Sequence, residues 1–447
     1  MRLTEIRVSK LFGMFDHTVP LNQSDRITII YGPNGYGKTA ILLLVQGLLG
    51  GQFSKLRRFP FDEFSVSFED GRKVYVTQTQ PAESDKEVPQ RTICIRVKYP
   101  DGKTEEYSSE SSQRRDGVGF PLEIVEHSIA GLQRIGPETW IHVQTGQHLQ
   151  LDDVLDNYIE FLPIRHRPRK KLPEWLAQIP REFDVRLIEA QRLIGISDSR
   201  RPRVAHAETR FKPAVMSYAQ ELAASIQAIQ AQYGTFSQQL DSTFPNRVIQ
   251  RSPATSLGAA ELVTKLKELE AKRQRIIAAG LLTKEQQAAP IFDPQTTVDE
   301  TTKNILSLYA EDVEKKLSVF DQITARIDLF KELVNKRFSY KQLDVESEDG
   351  IRLQTHAGLT LLPIDLSSGE QHELVLLYEL LFRTKENTLI LIDEPELSLH
   401  VEWQVEILKD LARVIKLSTF DVLLATHSPQ IINNRWDLTV ELKGPRA

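Results

Sequence analysis

The chain has 447 residues, 40% hydrophobic and 26% charged, enough to bury one large core or two to three ordinary ones. Its 61 acidic and 56 basic side chains give a net charge of −5 and a pI near 6.1, so no global basic field marks a nucleic-acid binder. A single cysteine, Cys94, excludes an internal disulfide framework or a cysteine zinc hook within one subunit. The first eight residues alternate like a strand and lack the apolar core of a signal peptide, and no apolar stretch is long enough to span a bilayer. These features predict a cytoplasmic protein without membrane contact.

Strands are expected over 5–8, 26–31, 64–68 and 73–77, the last two joined as a hairpin by Asp70-Gly71. A second such pair, 92–99 and 104–107, flanks Pro100-Asp101-Gly102, while 81–91 and 108–118 are polar and read as loops. The segment 150–182 is rich in proline and arginine and takes no assignment. Between the strand ending at Tyr31 and an apolar run opening at Ala40 lies Gly32-Pro33-Asn34-Gly35-Tyr36-Gly37-Lys38-Thr39. A glycine-rich turn from strand to helix presents backbone N–H groups to phosphate oxygens, with Lys38 placed for the outer phosphates and Thr39 for Mg²⁺.

From Pro213 the periodicity becomes helical. One helix is expected to about Tyr233, before the breaker Pro245, a second over 258–279, and a third, long and amphipathic, over about 301–336. Together they form an arm of residues 196–336 between an N-terminal lobe of 1–195, with variable insertions in 81–182, and a C-terminal lobe of 337–447. No heptad run is long enough for an extended rod, and no internal repeat is evident.

The C-terminal lobe opens with strands at 337–346 and 351–355 around Asp349-Gly350. Leu366-Ser367-Ser368-Gly369-Glu370-Gln371 then starts a helical apolar pattern, and serine with glycine at a helix start is an anion site as well as an N-cap. The run 389–392 is a buried strand that delivers Asp393 and Glu394 to its carboxyl edge, the first suited to Mg²⁺ and the second to orienting or deprotonating a water. A further strand, 422–425, leads into Thr426-His427-Ser428-Pro429, and 438–442 reads as the last strand.

The order of these segments resembles the ABC-type ATPase head shared by SMC, RecF and OLD proteins: phosphate loop, Leu-Ser-Ser-Gly-Glu, apolar-Asp-Glu-Pro, then Thr-His-Ser. The resemblance covers roughly 1–80, a piece near 185–195, and 337–442. It implies a mixed α/β P-loop head split by a short helical, coiled-coil-like insertion, with ATP and Mg²⁺ as ligands. It also implies heads paired face to face, at least as dimers, so that Ser367 and Gly369, flanked by Ser368 and Glu370, reach the γ-phosphate bound by the partner's Lys38. Asp393 with Thr39 would serve Mg²⁺, Glu394 would be the general base and His427 the switch histidine. Ser398-Leu399-His400 fits the D-loop. The family's metal-side glutamine has Gln191 as its candidate, while Arg192 beside it reads as a phosphate contact or a surface arginine.

The compact head, short arm and Thr-His-Ser-Pro-Gln-Ile-Ile ending look most like the stand-alone ATPases of OLD-related defence systems, such as the AriA-like ATPases of PARIS. OLD nucleases continue into a Toprim domain, whereas this chain stops soon after His427, so a Toprim nuclease is expected on a separate polypeptide. A DNA or phage-protein trigger is a further expected partner. Basic clusters at 165–171, 200–203 and Lys55, Arg57 and Arg58 are candidate phosphate-backbone contacts. The alternative is a RecF-like or SMC-like repair or recombination ATPase that binds DNA directly.

Overall fold

The computed structural model describes residues 1–79, 92–109, 129, 132–136, 139–142, 147–151, 154, 172–188, 213–250, 258–283, 299–397 and 399–445. These fall into two compact units, one built from 1–188 with 384–445 and the other from 213–383. The architecture is mixed α/β, with the largely helical second unit inserted in the sequence between the two stretches of the first.

The first unit is built on a five-stranded parallel sheet in the order Val185–Ile188, Leu389–Asp393, Asp421–Thr426, Ile27–Tyr31, Thr439–Glu441. Its central strands are apolar without alternation, with Ile29, Ile30, Leu391, Ile392, Leu423 and Leu424 all at most 1% exposed, as expected of a sheet covered on both faces. A six-stranded antiparallel sheet runs Phe15–Pro20, Leu3–Leu11, Glu63–Phe68, Lys73–Thr79, Thr92–Lys98, Thr104–Ser109. Here the residues do alternate. Ile6, Val8, Phe64, Val66, Val74, Val76, Ile93 and Ile95 turn inward, and Arg7, Tyr75, Arg96 and Lys98 turn outward to water or its margin. Both hairpins expected from Asp70-Gly71 and Asp101-Gly102 are present.

The helix Lys38–Leu49 shares one core with both sheets. Ala40, Ile41, Leu42, Leu44, Val45, Leu48 and Leu49 are all buried, and a helix apolar around its circumference must be enclosed. That enclosure fixes the start of the helix, and with it the glycine-rich loop. The unassigned segment 150–182 contributes the helix Glu174–Glu182, which buries Leu176 and Ile179.

The second unit contains the helices Ala214–Gln250, Ala259–Ala278, Glu300–Ser318 and Asp321–Arg337, a three-stranded antiparallel sheet (Lys341–Glu346, Gly350–Thr355, Thr360–Leu361) and the helix Ser368–Tyr378, which continues as a π-helical turn over Glu379–Arg383. Three sequence expectations differ here. The first helix does not stop near Tyr233 but runs through Pro245. Proline removes one backbone bond, but Arg247 forms a two-pronged ion pair with the buried Asp312 at 2.6 Å and also donates to the Leu240 carbonyl, tying the segment beyond the proline to the helix Glu300–Ser318. The single helix expected over 301–336 is two, interrupted at Val319 and Phe320 by a tighter turn in which the Phe320 N–H bonds the Leu317 carbonyl at 3.1 Å, with the Phe320 ring fully buried against Tyr233 at 5.0 Å between centroids. Finally, 337–383 packs with the arm instead of forming a lobe with 384–447. Leu343, Val345 and Leu353 are buried, and the strand Gly350–Thr355 lies against the helix Ala214–Gln250, whereas 384–445 completes the parallel sheet.

Candidate functional site

The strand Ile27–Tyr31 is hydrogen-bonded on both sides, and the glycine-rich loop leaves its carboxyl edge. Gly35 and Gly37 hold φ of 86° and 90°, the left-handed region that disfavours any side chain, and Gly37 is also the N-cap of Lys38–Leu49. A Cβ on Gly37 would lie 2.5 Å from the Leu11 side chain, so the loop is moulded against the antiparallel sheet. Lys38 is 4% exposed. Its ammonium donates to the carbonyls of Gly32 at 2.9 Å and Pro33 at 3.2 Å and to Asn34 Oδ1 at 3.3 Å. A buried cation is thus held by the loop's own oxygens, in the place where a phosphate-binding lysine is required.

His17, not anticipated from the sequence, secures the loop from behind. Its Nε2 lies 2.9 Å from the Tyr36 carbonyl, and Phe15 packs on Tyr36 with centroids 5.4 Å apart. Burial pushes the His17 pKa down, favouring the neutral ring, and since a carbonyl only accepts, Nε2 carries the proton. Gly37→Ala should therefore cost about 1–3 kcal/mol, read as a Tm several degrees lower. Gly234→Ala, in a helix with open space around it, should leave Tm unchanged or raised.

Opposite the loop, the strand Leu389–Asp393 places Asp393 Oδ1 3.1 Å from Thr39 Oγ1, which donates to it. A hydroxyl and a carboxylate converging at the foot of a phosphate loop are hard oxygen donors suited to Mg²⁺. Glu394 follows with φ +42°, uncommon for a side-chain-bearing residue, its N–H bonded to the Ala425 carbonyl at 2.9 Å and its carboxylate 3.8 Å from His427 Nδ1. The structure therefore brings Gly32 to Ala40, Asp393, Glu394 and His427 together in one unit.

Glu396 was also missed. Its side chain is 6% exposed and Oε1 accepts from the Thr426 hydroxyl at 2.6 Å and the His427 N–H at 2.9 Å, with His427 Nδ1 3.2 Å away. The signal was available in the run Asp393-Glu394-Pro395-Glu396, since a third acid immediately after a buried strand calls for a partner.

Ser367 to Glu370 lie in the other unit. Ser367 caps the helix Ser368–Tyr378. Its hydroxyl accepts from the Glu370 N–H at 3.4 Å, while the Glu370 carboxylate accepts from the Ser367 N–H at 2.9 Å and hydroxyl at 2.8 Å. Burial pushes the Glu370 carboxyl up, but the hydrogen bonds from Lys341 and Ser367 outweigh it and hold the pKa below the usual carboxylate range. Ser367 and Ser368 are exposed, and Gly369 has no neighbour within contact distance of its Cβ position, so the helix start is open to an incoming group. Leu399 is buried and His400 exposed at the start of the helix Val401–Ser418. Gln191, Arg192, Ser398 and the clusters at 165–171 and 200–203 lie outside the described residues. Of the third cluster, Lys55 bonds Gln46 at 2.5 Å and Arg58 lies over the Phe59 ring.

Two family models match the chain, "AAA domain, putative AbiEii toxin, Type IV TA system" over residues 245–433 and "AAA domain" over residues 10–143. Together the two matches take in the glycine-rich loop and the stretch from Ser367 to His427. No curated protein matches it. Among solved structures, the Smc head domain of Pyrococcus furiosus bound to the C-terminal domain of ScpA is similar at 14% identity and a TM-score of 0.35, covering 97% of this chain and 91% of that one. The SMC head domain from Thermotoga maritima is similar at 12% identity and a TM-score of 0.33, covering 99% and 95%. A likeness this loose carries no weight beside the chain's own topology. Among the described residues, no helix is long and apolar enough to cross a membrane.

Proposed function

We propose that the chain is an ATPase whose nucleotide drives assembly of the protein with copies of itself. The observation that carries this is the contact of Thr39 with Asp393 at 3.1 Å beneath a loop that holds Lys38 buried. Lys38 and the loop N–H groups would bind the triphosphate, Thr39 and Asp393 would hold Mg²⁺, and Glu394 would take the proton of the attacking water. Mg²⁺, when bound, neutralises the charge that develops on the transferred phosphoryl group and its leaving oxygen. Most of the acceleration in such a reaction comes from positioning and electrostatics, so a set lacking one charged or dipolar contributor is slow. Ser367 and Gly369 are the missing set, supplied by a second copy.

Purified protein should hydrolyse ATP only with Mg²⁺ present, and Lys38→Ala should abolish both binding of a fluorescent ATP analogue and phosphate release. Wild-type turnover that survives in Lys38→Ala would move the chemistry elsewhere.

The match over 245–433 to a family described by a toxin of a toxin–antitoxin system supports placing this switch in bacterial anti-phage defence, where it would hold or release a separately encoded effector, such as a Toprim nuclease, in response to DNA or a phage protein. Affinity capture from the native host, with and without ATP, tests that placement. A co-eluting nuclease supports it, whereas salt-sensitive, ATP-dependent retention on DNA without an effector favours direct repair chemistry.

A further inference from the structure

The buried carboxylate of Glu396 has no place in the scheme above, yet one of its oxygens accepts from two donors of the Thr426-His427 turn, the Thr426 hydroxyl at 2.6 Å and the His427 backbone N–H at 2.9 Å, and lies 3.2 Å from the His427 ring Nδ1. Oε2 is also buried, with no hydrogen-bond partner among the described residues. The backbone of the same residue is held as well, since Gln404, 8% exposed on the helix Val401–Ser418, donates through Nε2 to the carbonyls of Glu396 at 3.2 Å and Leu399 at 3.1 Å. The Gln404 Oε1 accepts from the Ser428 hydroxyl at 3.2 Å, and the Ser428 N–H donates to the Thr426 hydroxyl at 2.9 Å. One closed network thus joins the segment following Glu394, the backbone at Leu399 and the turn that carries His427.

We propose that Glu396 is a positioning residue for His427. By accepting from the His427 backbone N–H and standing 3.2 Å from Nδ1, it fixes where the ring sits and turns Nε2 towards a negatively charged ligand oxygen, in this reading a phosphate oxygen of ATP, which Nε2 meets as a donor when both ring nitrogens carry protons. The inference rests on the ATPase reading and adds a residue to it. A histidine on a turn with its side chain 40% exposed would otherwise sample several rotamers, and only a fraction of molecules would present it correctly. A charge-assisted acceptor on the far nitrogen removes that freedom, as outer-shell partners do for histidines that bind metals.

The test is a double-mutant cycle on the full chain. Glu396→Ala should lower kcat for ATP hydrolysis about 10- to 100-fold with ATP affinity unchanged, the scale of outer-shell losses. His427→Ala should lower kcat similarly, and the double variant should be no slower than the worse single one, because a ring that is gone cannot be misplaced. Glu396→Gln keeps an acceptor at Oε1 and should recover part of the rate. Losses that multiply in the double variant, or Glu396→Ala at full speed, would overturn the role assigned to Glu396 while leaving the ATPase reading intact. A wild-type chain that neither binds nor hydrolyses ATP defeats the ATPase reading itself. Should Glu396→Ala fail to fold, the same cycle run with Glu396→Gln decides, its loss disappearing in the His427→Ala background if the proposal holds and persisting if it does not.

Discussion

Glu394→Gln should bind ATP about as tightly as the wild type and hydrolyse it about 10²- to 10⁴-fold more slowly, the range a positioned general base supplies. The side chains are nearly isosteric, and the backbone features that set the residue, φ +42° and the N–H bond to the Ala425 carbonyl, do not involve the carboxylate. Thr39, Asp393 and Lys38 keep their contacts, so the ground state survives while the proton acceptor is lost. If ATP favours the paired state, a variant that cannot discharge it accumulates there. Moving such an equilibrium from almost wholly open to almost wholly closed needs differential binding of about 5.5 kcal/mol, which a tetra-anion held by two copies can supply. Mass photometry with ATP and Mg²⁺ should show the larger species dominant for Glu394→Gln and absent for Lys38→Ala. Undiminished hydrolysis in Glu394→Gln rules this residue out as the base. A nucleotide-loaded Gln variant that stays a single chain rules out assembly as the output.

What could be read without coordinates follows from how local the governing physics is. The phosphate loop was legible because its glycines answer a backbone demand, left-handed φ at Gly35 and Gly37, that any folded version of the segment must meet. The strands ending at Tyr31, Asp393 and Thr426 were legible because a doubly covered parallel strand leaves an uninterrupted apolar run. Pro245 misled because the ion pair that carries the helix past it comes from Asp312, distant in sequence. The break at Phe320 was hidden because Phe320 also fits the apolar stripe of a continuous helix, and the turn that interrupts it keeps helical dihedrals and differs only in its hydrogen bonding. His17 was invisible for the same reason, and Glu396 showed itself only as a third acid after a buried strand, its partner hidden. Each acts through a carbonyl or turn supplied by another element, and neither spacing nor residue type announces that partner.

An equal mixture of two inactive variants, Lys38→Ala and Ser367→Arg, should recover about a quarter of wild-type ATPase activity. In a two-fold pair each nucleotide would use the loop of one copy and the Ser367 turn of the other, so a mixed pair has one site carrying both lesions and one carrying neither. Random exchange makes half the pairs mixed, each with one intact site of two, which gives about a quarter if the sites act independently. The variants suit the purpose because they damage separate groups. Lys38→Ala removes the ammonium bonded to Gly32, Pro33 and Asn34, and Ser367→Arg fills an exposed helix start at the cost of one cap, about 1 kcal/mol. Ser367→Ala, smaller and equally uncapped, controls for that loss of stability. Phosphate release should rise from baseline over the time the copies take to exchange, while either variant alone stays flat at any concentration. No recovery after exchange, verified by pairing of differently tagged copies, would mean that the loop and the Ser367 turn do not complete one another across two chains, and full activity of Ser367→Arg alone would remove the turn from the reaction altogether.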